Sequence, residues 1–224
     1  MTNWLQHVED WKDCQRCALA QQRSRICLAR GTVPCDVCFV GEAPGMNEDA
    51  HGLPFYGPAG DRLELIISRA FEPWHGQVSF AYTNLVACFP REAKARGDNE
   101  PERGEVLECR PRLIEFVNVA QPRLIVRVGK MVEQYMNFDS SVPMVDITHP
   151  AHILRMPDAQ KSMATNRQAV KLRCAWEDVL QLPVQPWKEW GAKGAKVQQG
   201  EEGFYDDYYQ RTGSIHPDDD SIPF

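Results

Sequence analysis

Short apolar runs recur along the chain, and each stops at a glycine or a polar residue before a stretch with helical periodicity begins. Val37-Cys38-Phe39-Val40, ending at Gly41, predicts a first buried strand, and Phe80 to Val86 a second. Arg123 to Val128, before Gly129, predicts a third, and Val142 to Thr148, ending at His149-Pro150, a fourth. Between them the apolar spacing changes to three and four. Trp4, Leu5, Val8 and Trp11 predict a short helix within residues 3–13, and Leu63, Leu65, Ile66, Ile67 and Ala70 a helix starting near Gly60 with Pro73 beyond its end. Further helices are expected from Glu105 to Val119, where Pro111 kinks the helix or marks its start, from Lys130 to Phe138, and from about Asn166 to Leu182. The charged residues 91–104 predict a surface loop. Strands alternating with helices imply an α/β fold, a three-layer α/β/α sandwich around a central four-stranded, mostly parallel sheet.

Length and composition refine this. A chain of 224 residues holds one domain with a substantial core, assigned to residues 1–182. Residues 183–224, with proline, glycine, lysine-rich and then acidic stretches, predict a flexible tail. The start, Met1-Thr2-Asn3-Trp4, lacks a basic region, and no apolar run is long enough to cross a bilayer. A soluble cytoplasmic protein without a membrane partner is expected. The eight cysteines are then thiols or metal ligands rather than disulfides. The net charge of -6 is local: residues 201–224 hold seven of the 31 acids and one of the 25 bases, leaving 24 of each in residues 1–200. A nucleic-acid-binding face is compatible with such a body, though composition does not demonstrate one.

Glu42, Asn84 and His149 fall at the carboxyl ends of the first, second and fourth predicted strands. In a parallel sheet these ends lie side by side, so residues distant in sequence converge on one pocket. Each also has an ordinary role: Asn after a strand forms turns or caps, His-Pro opens loops, and Glu42 can cap the next helix. The loop Gly41-Glu42-Ala43-Pro44-Gly45 lets backbone approach a ligand. Phe55-Tyr56, fixed between Pro54 and Gly57, offers a flat ligand a surface to stack on.

Gly41-Glu42-Ala43-Pro44-Gly45 with Glu48, followed by Gly52-Leu53-Pro54-Phe55-Tyr56-Gly57-Pro58-Ala59-Gly60, resembles the signature of the family 4 uracil-DNA glycosylases: GEAPG-x-x-E, then G-x-PF-x-G-x-AG. Thr83-Asn84 and His149-Pro150-Ala151-His152-Ile153-Leu154-Arg155 resemble two further motifs, and the likeness covers about residues 10–180. It implies a monofunctional glycosylase that hydrolyses the bond between uracil and deoxyribose in DNA and leaves an abasic site. The motifs hold no obvious lysine nucleophile.

The resemblance implies a role for each matching residue. Asn84 reads the uracil edge, its NH2 to O4 and its carbonyl to N3–H, a pairing that cytosine disfavours. His149 donates to O2 of the departing base, helped by backbone N–H groups of Gly41, Ala43 and Gly45. Phe55 stacks on the base, and Glu42 or Glu48 orients water. The nucleotide must be extruded from a duplex to reach such a pocket, with Ile153, Leu154 and Arg155 as the wedge that fills the vacated stack and holds phosphate.

Cys14-x2-Cys17 with Cys88 and Cys109 could by spacing hold zinc or an iron–sulfur centre. The resemblance implies a structural [4Fe-4S] cluster, with zinc as the alternative. Cys35-x2-Cys38 has the same spacing but falls in the first strand, where positions i and i+3 point to opposite faces. Core packing is expected for Cys27, Cys35, Cys38 and Cys174.

Pro58, Ala87, Phe89 and Ala151 replace residues that commonly contact phosphate or backbone in that family, which predicts weak binding to naked DNA with a shallow salt dependence. The end, Asp218-Asp219-Asp220-Ser221-Ile222-Pro223-Phe224, is similar to the acidic tip of bacterial single-stranded DNA-binding proteins. It implies docking to proteins that recognise such tips; a plain solubilising tail is the alternative. Two other functions remain open: a glycosylase of this fold for another modified base, and a non-catalytic DNA- or protein-binding adaptor.

Overall fold

The computed structural model describes residues 3–91, 99–136 and 141–181. Five strands, β1 (Arg30–Gly31), β2 (Val37–Gly41), β3 (Phe80–Asn84), β4 (Leu124–Val128) and β5 (Met144–Ile147), form one sheet in the order β1-β3-β2-β4-β5. The β2–β3, β2–β4 and β4–β5 pairs are parallel. The four expected strands are all present, and β1 is an addition that closes the edge antiparallel to β3. A two-residue strand carries too short a pattern to be read from sequence.

β2 is apolar throughout, and its neighbours β3 and β4 are apolar apart from Thr83, Asn84 and Arg127, because both faces are covered. Val37, Phe39, Tyr82, Leu124 and Val126 pack with Leu63 and Ile66 of α4 (Pro58–Ala70), Ile153 of α7 (Pro150–Arg155), and Leu172 and Trp176 of α8 (Asp158–Gln181). Cys38, Val40, Ala81 and Ile125 face the other way. They meet Leu113, Phe116 and Val117 of α5 (Arg103–Ala120) and Val132 of α6 (Lys130–Tyr135). This is the three-layer arrangement the alternation implied. α1 (Trp4–Trp11) lies on α5, where the Glu115 carboxylate accepts from Trp11 Nε1 at 3.1 Å.

The helices depart from expectation in instructive ways. α5 runs through Pro111, which is exposed, while the opposite stripe is held in the core; packing outweighs the missing hydrogen bond. α8 begins at Asp158, eight residues before Asn166, because its first two turns are mostly exposed and show no apolar period. Three short helices, α2 (Leu19–Gln22), α3 (Met46–His51) and α7, add to those expected. Among the described residues no helix is long and apolar enough to cross a membrane. The assigned tail, 183–224, lies outside them.

Candidate active site and cysteine cavity

The sheet brings Gly41 and Asn84 directly opposite each other as the last paired residues of β2 and β3. Pairing continues beyond the strands, with Leu85 N–H donating to Gly41 O at 2.8 Å and Val86 N–H to Glu42 O at 3.2 Å. Asn84 is 3% exposed, and its amide Nδ2 has no hydrogen-bond partner. A buried donor left unpaired in a native fold calls for an explanation. The Asn84 and Phe55 side chains close over the α-carbon of Gly41 and leave no room for a Cβ there.

Phe55 is buried and takes a left-handed backbone conformation, φ 53°. Neighbours impose it. Gly60 passes so close that a Cβ would stand 1.9 Å from the Phe55 carbonyl oxygen. Arg30, at the sheet edge, donates from Nε to Pro54 O at 2.7 Å and from Nη2 to Glu64 Oε1 at 2.7 Å. Its guanidinium lies 3.8 Å from the centre of the Tyr82 ring.

His149 caps α7, and its Nδ1 accepts the Ala151 N–H at 3.3 Å. That fixes the tautomer: the proton of the neutral ring is on Nε2. Burial, reinforced by the Arg155 charge, pushes its pKa down to about 4. The ring rests on Gly129, whose φ of 103° keeps a side chain out of the way. Thr148 N–H, just before it, donates to Gln168 of α8 at 2.9 Å.

Glu48 reaches back to accept the Gly45 N–H at 3.1 Å, and burial raises its pKa. That N–H, expected to help hold a departing base, is therefore engaged. Asp49, next to it, is buried and accepts N–H groups of Ser24 and Arg25 and an Arg91 donor at 2.6 Å. Burial opposes its charge, but the Arg91 and backbone hydrogen bonds prevail and hold its pKa below the ordinary value.

Glu42, Ala43, Gly45, Glu48, Phe55, Asn84, His149 and Arg155 all line one cleft of about 1360 Å³. Small-ligand sites span roughly 300–1,000 Å³, so the cleft can accept part of a polymer. Lys130, Lys171 and His152 line it too. The expected wedge needs correction at Ile153, which is fully buried in the core: in a helix starting at Pro150 it falls on the inward face. Leu154 is half-buried and Arg155 exposed.

Cys14, Cys17, Cys88 and Cys109 line a single cavity on the α5 side of the sheet, together with Arg16, Arg23, Glu108 and Arg112. All four are free thiols. Arg23 donates to Cys88 Sγ at 3.0 Å and to Cys14 O at 2.7 Å. Burial pushes the Cys88 pKa up to about 11 even so. Among the described residues no three His, Cys, Asp or Glu side chains converge as the ligands of one ion would. Core packing holds for Cys27, Cys35, Cys38 and Cys174, all buried. The face argument for Cys35 and Cys38 does not. Cys35 precedes β2, strand alternation does not apply to it, and both side chains lie in the same core cluster.

An open, mostly parallel sheet with a cleft of mixed polar and apolar lining at the carboxyl ends of its strands defines the class: an α/β protein carrying its site on strand-end loops. The model of the Uracil DNA glycosylase superfamily matches residues 29–178, and the chain belongs to that superfamily. It is 34% identical over 128 residues to the type-4 uracil-DNA glycosylase of Sulfurisphaera tokodaii, covering 57% of this chain and 55% of the relative. With the type-4 enzyme of Pyrobaculum aerophilum it shares 36% over 118 residues, covering 53% and 56%. With that of Archaeoglobus fulgidus it shares 24% over 190 residues, covering 75% and 91%. The matched stretch thus spans little more than half the length of the first two relatives.

Proposed function

We propose that the protein is a monofunctional uracil-DNA glycosylase that hydrolyses the N-glycosidic bond of deoxyuridine in DNA. The observation that carries this is the Asn84 amide, buried yet unpaired, set over Gly41 against the Phe55 ring. A flat base carrying a carbonyl oxygen satisfies both the donor and the ring.

In the reaction the C1′–N1 bond breaks, its electron pair leaves with the base, and a water oxygen bonds to C1′ while releasing a proton. Negative charge develops on the uracil oxygens. Asn84 Nδ2 meets it at O4 and His149 Nε2–H at O2. A neutral imidazole suits this role, since it donates a hydrogen bond without adding a second charge to a buried site. Glu42, in the cleft just beyond the end of β2, or Glu48, which accepts the Gly45 N–H, orients the water. Arg155 and His152, exposed at the cleft, are positioned to contact the DNA strand. Phe89, which also lines the cleft, and Ala87 are buried and offer phosphate no charge, which supports the shallow salt dependence.

The four cysteines fit a [4Fe-4S] cluster. They share one cavity, carry no disulfide and include a sulfur already accepting from a guanidinium. Zinc, which the same four thiolates could ligate, is the alternative. Bound there, the cluster would crosslink the amino-terminal segment to α5; hydrolysis requires no electron from it. The acidic tip, Asp218 to Phe224, lies outside the described residues, and we propose it as a docking peptide for proteins that recognise such tips. Deleting Ile222 to Phe224 should abolish that docking.

The decisive experiment incubates iron-replete protein with single- and double-stranded oligonucleotides containing uracil and measures free base, alongside Asn84→Ala and His149→Ala. Release by the wild type and its loss in both variants is expected. Equal rates in all three would overturn the site. Trapping of a covalent DNA adduct by borohydride would overturn the monofunctional reading.

A further inference from the structure

Arg112 is 1% exposed, among the most deeply buried charges in the described residues. Its Nη1 donates to Thr83 Oγ1 at 2.6 Å and Leu28 O at 3.3 Å. Its Nη2 donates to the Asn84 carbonyl, in a very short contact, and to Leu85 O at 3.1 Å. Every one of these acceptors is neutral, and Nε has no acceptor. A guanidinium in such a place calls for a counter-charge, because an ion taken out of water without one is costly.

Glu115, one turn further along α5, is engaged by His7 and Trp11, which leaves the cysteines as the anionic groups that line a cavity with Arg112 and could supply it. Arg112 stands one helical turn beyond Cys109 on α5 and lines the same cavity as Cys14, Cys17 and Cys88. The positions flanking Cys88, Ala87 and Phe89, bring no charge. Glu108, the acid on this cavity, is more than half exposed and lies 3.7 Å from Arg16.

We propose that Arg112 is a positioning residue that ties the four-cysteine centre to the uracil-reading end of β3. It balances the negative charge of the metal-bound thiolates from across the shared cavity, while Nη2 of its fork grips the Asn84 and Leu85 carbonyls. Asn84 is then held from two directions: from Cys88, four residues along the chain, and from Cys109 through Arg112. Loss of the centre leaves the cation uncompensated and loosens the grip. This rests on the iron–sulfur and uracil readings above and adds a mechanical link between them.

The test uses the full, iron-loaded chain as wild type, Arg112→Lys and Arg112→Gln, each checked as folded by far-UV circular dichroism. Two quantities are read: the rate at which a ferrous chelator removes iron, followed by the cluster's visible absorption, and the affinity for free uracil by calorimetry. Arg112→Gln, lacking the charge, should lose iron about tenfold faster, and both variants should bind uracil about tenfold more weakly, the loss expected for one charge-assisted hydrogen bond. Arg112→Lys keeps the charge and should lose iron nearly as slowly as wild type. Uracil affinity within twofold of wild type in Arg112→Lys would overturn the link, as would unchanged iron loss in Arg112→Gln. If Arg112→Gln does not fold, the uracil affinity of Arg112→Lys decides. If wild type itself binds no uracil, the glycosylase reading fails separately, and the link stands or falls on whether removing iron speeds amide exchange at Leu85 and Val86 less in Arg112→Lys than in wild type.

Discussion

Phe55 and Asn84 meet over Gly41, where an added Cβ would stand 2.6 Å from Phe55 Cζ and 2.3 Å from Asn84 Oδ1. Both obstacles are side chains, which move aside more readily than backbone. Gly41→Ala should therefore fold but hold the stacking ring and the reading amide out of place. Displacements of this order cost about 100-fold in rate. Uracil release, compared with urea unfolding of the same variant, separates the two effects.

Asn84 carries the opposite signature from a structural asparagine. Replacing it with Ala removes a buried donor that has no partner in the free protein, so unfolding free energy should stay within about 1 kcal/mol of wild type. Base release should fall by about 100- to 1,000-fold, the usual cost of removing one preorganised donor. A large loss of stability in denaturant titration would instead mark Asn84 as a fold residue.

His149 gives a pH signature. Its folded pKa of about 4 lies below the ordinary 6.5, so between those values the unfolded chain binds more protons. Its contribution to stability is thus full above pH 6.5 and is lost as pH falls toward about 4. Acid titration of the unfolding free energy should lose this part of its slope in His149→Ala. Base release should show no inflection from His149 between neutral pH and its folded pKa.

Much of this was legible in the sequence for a physical reason. Strands buried on both faces announce themselves as apolar runs, and their shared direction makes Glu42, Asn84 and His149 neighbours whatever lies between them. Ile153 was misassigned because α7 offers only six residues, too few to show which side faces inward. Arg30 and Arg112 were missed because a lone arginine reads as surface. Arg112 did carry a signal: with Cys109, Leu113, Phe116, Val117 and Ala120 it completes a helical stripe at spacings of three and four, and a charge inside such a stripe marks a buried partner.

Asp49 supplies a test remote from the chemistry. Its carboxylate organises Ser24, Arg25 and Arg91, next to the Arg23 that reaches Cys88. Asp49→Ala strands backbone donors and should cost about 2–4 kcal/mol, read by urea unfolding. It should also hasten iron loss to a chelator, because the segment bearing Arg23 is released.

The cleft is drawn from Glu42 through His149 and is braced from behind by α8. The two halves of the cleft rest on different supports: β2 and β3 carry Asn84, whereas the loop before α7 carries His149 and is tied to α8 through Gln168. Local opening of α8 would therefore disturb the imidazole before it disturbs the amide, which the paired ends of β2 and β3 hold.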